Sequence, residues 1–192
     1  MRIMLFLLLS LSSPMLAQDG RIEEVGKSPV EAQFASGGQI RMRLCSSEME
    51  IVGTDEARVR ISYSPERDDV KVRIQTSGDR AELKITDCPH NNFRVRIEVP
   101  KTSDLHVRMF AGEMMIRDVT GDKDVALHFG QLNLEMEKPE DYGHVQASVS
   151  TGELNAAAFH TEKGGLFRSF DKSGPGKYRL YAHVGAGEVD IR

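Results

Sequence analysis

Five histidines recur through the second half of the chain, His106, His128, His144, His160 and His183, at intervals of 22, 16, 16 and 23 residues. Neutral imidazole is a good ligand for zinc or copper, so a histidine repeated once per structural coil could build a metal-binding ladder. The flanking residues argue for a plainer role. Leu105, Val107 and Met109 alternate with His106, and Val125, Leu127 and Phe129 alternate with His128. In a period-two segment this turns the apolar residues to a core and the imidazoles to water. Asp118, Asp122 and Asp124 crowd oxygens around Thr120-Gly121 as a calcium turn would. Their spacing is neither that of an EF-hand nor that of a Gly-Gly-x-Gly-x-Asp roll, and a polar turn is the simpler reading. No metal and no cofactor is expected.

Enzyme chemistry finds no firmer footing. No carboxylate pair stands apart among 29 acids, and with no Trp and 4 Tyr no cluster of exposed aromatics suggests a sugar platform. A Gly-x-Ser-x-Gly elbow, a Gly-x-Gly-x-x-Gly turn and a P-loop are all missing from the sequence. Gly174-Pro175-Gly176-Lys177 precedes a strand, where no helix terminus can cradle phosphate. The expectation is a protein that is not an enzyme, with no catalytic residues.

Two cysteines remain, Cys45 and Cys88. An even count in an exported chain makes a structural disulfide the leading reading, against two free thiols. Without a Cys-x-x-Cys arrangement a redox-active pair is disfavoured.

Elements that must position these residues announce themselves by repetition. A small residue, a polar residue and then alternating apolar positions return as Ser47-Glu48-Met49-Glu50-Ile51, Gly112-Glu113-Met114-Met115-Ile116, Gly130-Gln131-Leu132-Asn133-Leu134, Gly152-Glu153-Leu154-Asn155-Ala156 and Gly187-Glu188-Val189-Asp190-Ile191. Turn-then-strand units of this kind stack as coils, and no one unit can bury its apolar face alone. Glu113, Glu153 and Glu188 then fall at corresponding coil corners. From Gln33 onward period-two alternation is nearly continuous, as in Ile40, Met42 and Leu44 against Arg41 and Arg43. Ser36-Gly37-Gly38, Gly53-Thr54-Asp55, Ser64-Pro65-Glu66 and Ser77-Gly78-Asp79 punctuate it with turns. The expected fold is all-β: a single-stranded, largely parallel β-solenoid with more hairpin-like N-terminal strands. Segments 163–165 and 172–176 mark an extra excursion, and the last strand is expected to close the end of the stack.

Residues 1–17 carry one Arg, an apolar run from Ile3 to Leu11 and a small residue at Ala17, the pattern of a signal peptide. The run falls short of the ~20 residues a membrane span requires. Residues 18–32 lack a sustained period and are expected to be a leader or linker, so the domain proper runs over 33–192. The formal net charge of -4 gives no electrostatic reason to bind nucleic acid or anionic lipid.

Ser36-Gly37-Gly38-Gln39-Ile40, Met49-Glu50-Ile51-Val52-Gly53, Val95-Arg96-Ile97-Glu98-Val99-Pro100 and Gly112 through Gly121, in that order and ending on Gly187-Glu188-Val189-Asp190-Ile191, resemble the bacterial putative-adhesin domain family. The resemblance covers residues 34–192. It implies an extracytoplasmic β-solenoid with no catalytic residues. The functional expectation is a non-catalytic secreted or periplasmic module of the cell envelope, adhesive or structural, with an envelope protein or surface glycan as partner. A periplasmic sensory module is the alternative, and a carbohydrate-active enzyme is less favoured.

Overall fold

The computed structural model describes residues 20–89 and 91–192; the signal-peptide expectation for residues 1–17 lies outside them. Thirteen strands follow along the described chain: β1 (Gly20–Val25), β2 (Val30–Gln33), β3 (Gln39–Leu44), β4 (Ser47–Thr54), β5 (Arg58–Ser64), β6 (Lys71–Ser77), β7 (Arg80–Thr86), β8 (Arg94–Pro100), β9 (Asp104–Arg117), β10 (Lys123–Leu134), β11 (Tyr142–Ala156), β12 (Thr161–Ser173) and β13 (Tyr178–Ile191). Two single 3-10 turns, Pro139–Asp141 and Ala157–Phe159, are the helical pieces among the described residues.

The protein is all-β, but its one open sheet mixes parallel and antiparallel pairs. Parallel pairing joins β9, β10, β13 and β11 to one another and β3 and β4 to β9, β7 and β8. Antiparallel pairing joins β1 to β6, β6 to β7, β2 to β5, β5 to β8 and β11 to β12. The hairpin-like character expected of the N-terminal strands is thus present at both ends of the sheet.

The long strands β9, β10, β11 and β13 are each bent at a glycine. Gly112, Gly130, Gly187 and Gly152 stack in register there, in the strand order β9, β10, β13, β11. Gly130 (φ 124°) and Gly187 (φ 141°) adopt a backbone that side-chain-bearing residues rarely enter. A Cβ on Gly187 would also fall on the Gly130 carbonyl oxygen. The bend divides each strand into two arms. The first arms lead through β3, β7 and β6 to β1, while the second arms lead through β4, β8 and β5 to β2.

Both arms turn their apolar residues onto one core. On the first arm Met42, Val107, Val125, Ala182 and Ala147 form an inward row; on the second, Met49, Met114, Leu132, Val189 and Leu154 form another. Each of these side chains is buried, and burying a valine, leucine or methionine side chain contributes about 1.5 to 3 kcal/mol. At the bend the alternation lapses. Leu127 and Leu132 point inward with His128, Phe129, Gly130 and Gln131 between them. Phe129, expected inward, is therefore 52% exposed.

Two further expectations are corrected. Residues 18–32, read as a leader, contain β1 and all but the last residue of β2; these strands border the sheet and are exposed at most positions, so few apolar residues mark them in the sequence. The last strand does not close the stack but lies between β10 and β11. The expected excursion forms β12, which runs back antiparallel along β11 and takes the edge. Lys163, Arg168 and Lys172 on β12 stand opposite the inward residues Leu154, Val149 and Val145. Charges on the core-facing phase of an edge strand disfavour further strand addition.

Cys45, just after β3, and Cys88, just after β7, are joined as a disulfide with their Cα atoms 5.9 Å apart. The bridge ties together the ends of two parallel neighbours. By loop-closure entropy a cross-link of this span stabilises by about 3 to 4 kcal/mol.

Candidate binding face

Strict register turns the recurring phrase into ladders on the outer surface of the second arm. Glu48, Glu113, Gln131, Glu188 and Glu153 lie side by side across β4, β9, β10, β13 and β11, and Glu50, Met115, Asn133, Asp190 and Asn155 form the next row. Adjacent members are set by the strand spacing of about 4.8 Å. The Gln131 Nε2 donates to Glu188 Oε2 at 3.0 Å. Asp190 Oδ1 and Asn155 Oδ1, on neighbouring strands, are buried acceptors that receive no hydrogen bond from the protein. This surface is rich in acceptors.

Toward β8 the rows end in cations. Arg94 pairs with Glu48 at 2.7 Å, and Arg96 pairs with Glu50 at 2.5 Å and Glu98 at 3.3 Å. Arg117 reaches Glu50 at 2.8 Å and Asp118 at 2.9 Å. Burial pushes the Glu50 carboxyl up, but the hydrogen bonds from Arg117 and Arg96 outweigh it and hold the group below its ordinary value. The Arg94–Glu48 and Arg96–Glu50 pairs line a groove of about 480 Å³ that also includes Ser62, Ser64, Glu113, Met115 and Asn133. A second cleft of about 440 Å³ shares Glu48 and Glu113 and runs to Ala111 and Phe93 at the bend.

The bend itself carries aromatics. Phe110 is 60% exposed and stands edge-on to Phe129 at 5.4 Å, with the His128 ring 5.5 Å from Phe110. The sequence expectation of no exposed aromatic cluster is corrected here. Phe110 and Phe129 lie 19 residues apart and meet because β9 and β10 bend at the same register position.

The histidines are not brought into one ladder. His106 Nδ1 lies 2.9 Å from Asp124 Oδ2, His183 Nδ1 lies 2.9 Å from Ser148 Oγ, and His144 packs on Tyr181. His160 sits in a left-handed turn after the second 3-10 segment. The three aspartates also part company: Asp118 pairs with Arg117, Asp122 with Arg179, and Asp124 with Arg108 and His106. For Asp124, burial raises the carboxyl pKa, and the hydrogen bonds from Arg108 and His106 bring it net below its usual range. No group of three or more metal-ligating side chains lies together among the described residues.

Sequence reasoning missed Lys123. It occupies the inward row between Leu105 and Leu180, only 2% exposed, and its ammonium donates to the Tyr142 hydroxyl and to the Gly121 carbonyl. Burial pulls its pKa down to about 7. Carrying the inward phase of Val125 and Leu127 back by one step would have found it.

No protein-family model matches the chain, and no curated protein matches it. Among solved structures, the fold is similar to that of a putative cell adhesion protein from Clostridium sporogenes ATCC 15579, with a TM-score of 0.53 at 14% identity, covering 91% of this chain and 99% of that one. A putative adhesin from Bacteroides fragilis NCTC 9343 aligns with a TM-score of 0.35 at 9% identity, over 90% of this chain and 97% of that one. The first likeness bears on the fold: the resemblance drawn from sequence order and spacing is matched by a shared chain path over nearly the whole molecule. Among the described residues no helix is long and apolar enough to cross a membrane.

Proposed function

We propose that the chain is a non-catalytic binding module of the bacterial cell envelope, a short β-solenoid-like stack that presents the outer face of its second arm to an envelope component. The observation that carries this reading is the register of Glu113, Gln131, Glu188 and Glu153, four polar side chains held side by side by a hydrogen-bonded sheet. A ladder pre-organised in this way binds without first losing the entropy of ordering its own backbone. The Cys45–Cys88 bridge suits an oxidising compartment outside the cytoplasm, in keeping with the signal-like segment at residues 1–17. The adhesion label of the Clostridium sporogenes neighbour favours the same class of role.

The test is capture from an envelope extract on immobilised protein. Enrichment of an envelope component by the native chain, lost when Glu113, Glu153 and Glu188 are all changed to Gln, supports the reading. Capture of nothing, or capture indifferent to the triple change, overturns it.

A further inference from the structure

The outer surface of the first arm carries a ladder of the opposite sign. Register sets Arg73, Lys84, Arg43 and Arg108 side by side across β6, β7, β3 and β9. Like charges on adjoining strands repel and destabilise a sheet. Carboxylates relieve the repulsion only toward the two ends of this row. Arg73 pairs with Glu23 at 2.8 Å, and Arg108 pairs with Asp124 at 2.8 Å. Lys84 and Arg43 in the middle, and Arg41 in the next row, are exposed and make no ion pair among the described residues. These three cations and Arg73 line a cavity of about 220 Å³ together with Gln75 and Glu82.

Every charge around the cavity enters the balance. The next row, Arg21, Gln75, Glu82, Arg41, His106 and Asp124, is mixed. Over the two rows the cations Arg21, Arg41, Arg43, Arg73, Lys84 and Arg108 outnumber the carboxylates Glu23, Glu82 and Asp124, and His106 can only add to the cations. The flanking rows come close to cancelling: Lys71 is paired with Asp87 at 3.0 Å, and Arg80 and Asp104 stand on either side of Gln39. A local surplus of positive charge thus persists on a chain whose formal net charge is -4. The patch, rather than the whole molecule, sets what is attracted here.

The length of the row and its neighbours select the class of anion. Three strand steps separate Arg73 from Arg108, about 14 Å, so the row suits charge spread along a chain rather than one small anion. The backbones beneath are committed to the β6–β7, β7–β3 and β3–β9 ladders, which leaves an acidic peptide few partners for its own N–H and C=O groups. A chain of phosphates would press its charge against Glu82 and Asp124 as well. A uronate chain instead carries one carboxylate and several hydroxyls on each ring. Its carboxylates can accept paired hydrogen bonds from arginine, and its hydroxyls can donate to the Glu82 and Gln75 oxygens. We infer that the outer face of the first arm is a binding site for acidic polysaccharide, with Arg43, Lys84 and Arg41 holding uronate carboxylates and Gln75 and Glu82 accepting from ring hydroxyls. This site is separate from the second-arm face and does not depend on it.

The experiment is titration calorimetry of the purified full chain, at low ionic strength, with a galacturonate hexasaccharide. Its methyl-esterified form, a linear polyphosphate of comparable length, and vesicles of equimolar phosphatidylglycerol and phosphatidylcholine serve as comparisons. The acidic hexasaccharide is expected to bind more tightly than polyphosphate and to lose about tenfold or more in affinity on esterification, and the vesicles are expected not to bind. Arg43→Gln with Lys84→Gln, at exposed positions engaged by no carboxylate, should weaken binding by about tenfold or more without lowering the melting temperature. No binding of the acidic hexasaccharide, equal or tighter binding of its ester, of polyphosphate or of vesicles, or an affinity indifferent to the Arg43 and Lys84 changes overturns the inference. The second-arm reading is decided by its own triple change, so either can fail while the other stands.

Discussion

Lys123 and Tyr142 face each other inside the core, the ammonium donating to the phenol oxygen and lying 4.6 Å from the centre of its ring. Tyr142 in turn donates to the Gly121 carbonyl at 3.2 Å. The pair lies by the turn between β9 and β10, where the backbone carbonyls of Val119 and Gly121 leave the sheet and need donors. A charged group was placed where the neighbouring rungs hold leucine.

Burial lowers the Lys123 pKa from 10.5 to about 7, so the unfolded chain holds more protons than the folded one between those values. Stability therefore rises with pH across that window, by on the order of 5 kcal/mol in the limit. Burial raises the Tyr142 pKa well above its ordinary 10, so beyond pH 10 ionisation of the unfolded chain reverses the trend. Urea unfolding at a series of pH values should show a maximum near pH 10. Lys123→Leu should raise stability below pH 7 by about 1 to 4 kcal/mol and flatten the rise above it. An unchanged slope in that variant would contradict the buried-ammonium assignment.

Gly187 resists replacement on two counts, because both its φ of 141° and the Gly130 carbonyl oppose a side chain. Gly187→Ala should destabilise by more than about 2 kcal/mol, since an alanine must both enter a strained region and push apart two rungs. Gly78→Ala, at φ 57° with open space around its Cβ position, should cost about 1 kcal/mol. Thermal melts of the two variants give the comparison.

Removing the Cys45–Cys88 bridge by paired changes to serine should cost about 3 to 4 kcal/mol, visible as a lower denaturant midpoint. Reduction of the native chain with dithiothreitol should reproduce the same loss, and a midpoint indifferent to reduction would show that the bridge constrains little.

Glu50 binds Arg96 and Arg117 with its pKa held low, so it contributes stability above about pH 4.5 that is lost as pH falls through the folded value. Glu50→Gln should narrow the acid limb of the stability profile. Its two arginines, left without their shared carboxylate, should also become more reactive toward phenylglyoxal, measurable by peptide mass mapping.

What the sequence conveyed and what it withheld divide along the range of the interaction. Alternation in Ile40-Arg41-Met42-Arg43-Leu44 is set by local sterics and burial, and it reported the strand and its phase directly. The glycine phrase likewise marked each corner. Strand order is another matter: nothing local to Tyr178–Ile191 says that it enters between β10 and β11. Exposure of Phe129 was hidden for a related reason, because a period-two pattern carried through a bend assigns the wrong face to every residue in it. The polar ladder was visible as recurring Glu residues, but only register across β9, β10, β13 and β11 turned corner residues into a surface.

The placement of β13 bears on how the molecule is assembled. Its two neighbours in the sheet both precede it along the chain. Until β13 is available, the β11–β12 hairpin has no strand joining it to β10, and Val145, Val149 and Leu154 have lost the partners against which their rows pack. A chain that emerges from its N-terminus would thus hold two separate half-built pieces until the final segment wedges between them. The fold behaves as an arch completed by its keystone: assembly finishes in one late, cooperative step, and a truncated chain is left open to proteolysis at the site of the missing strand.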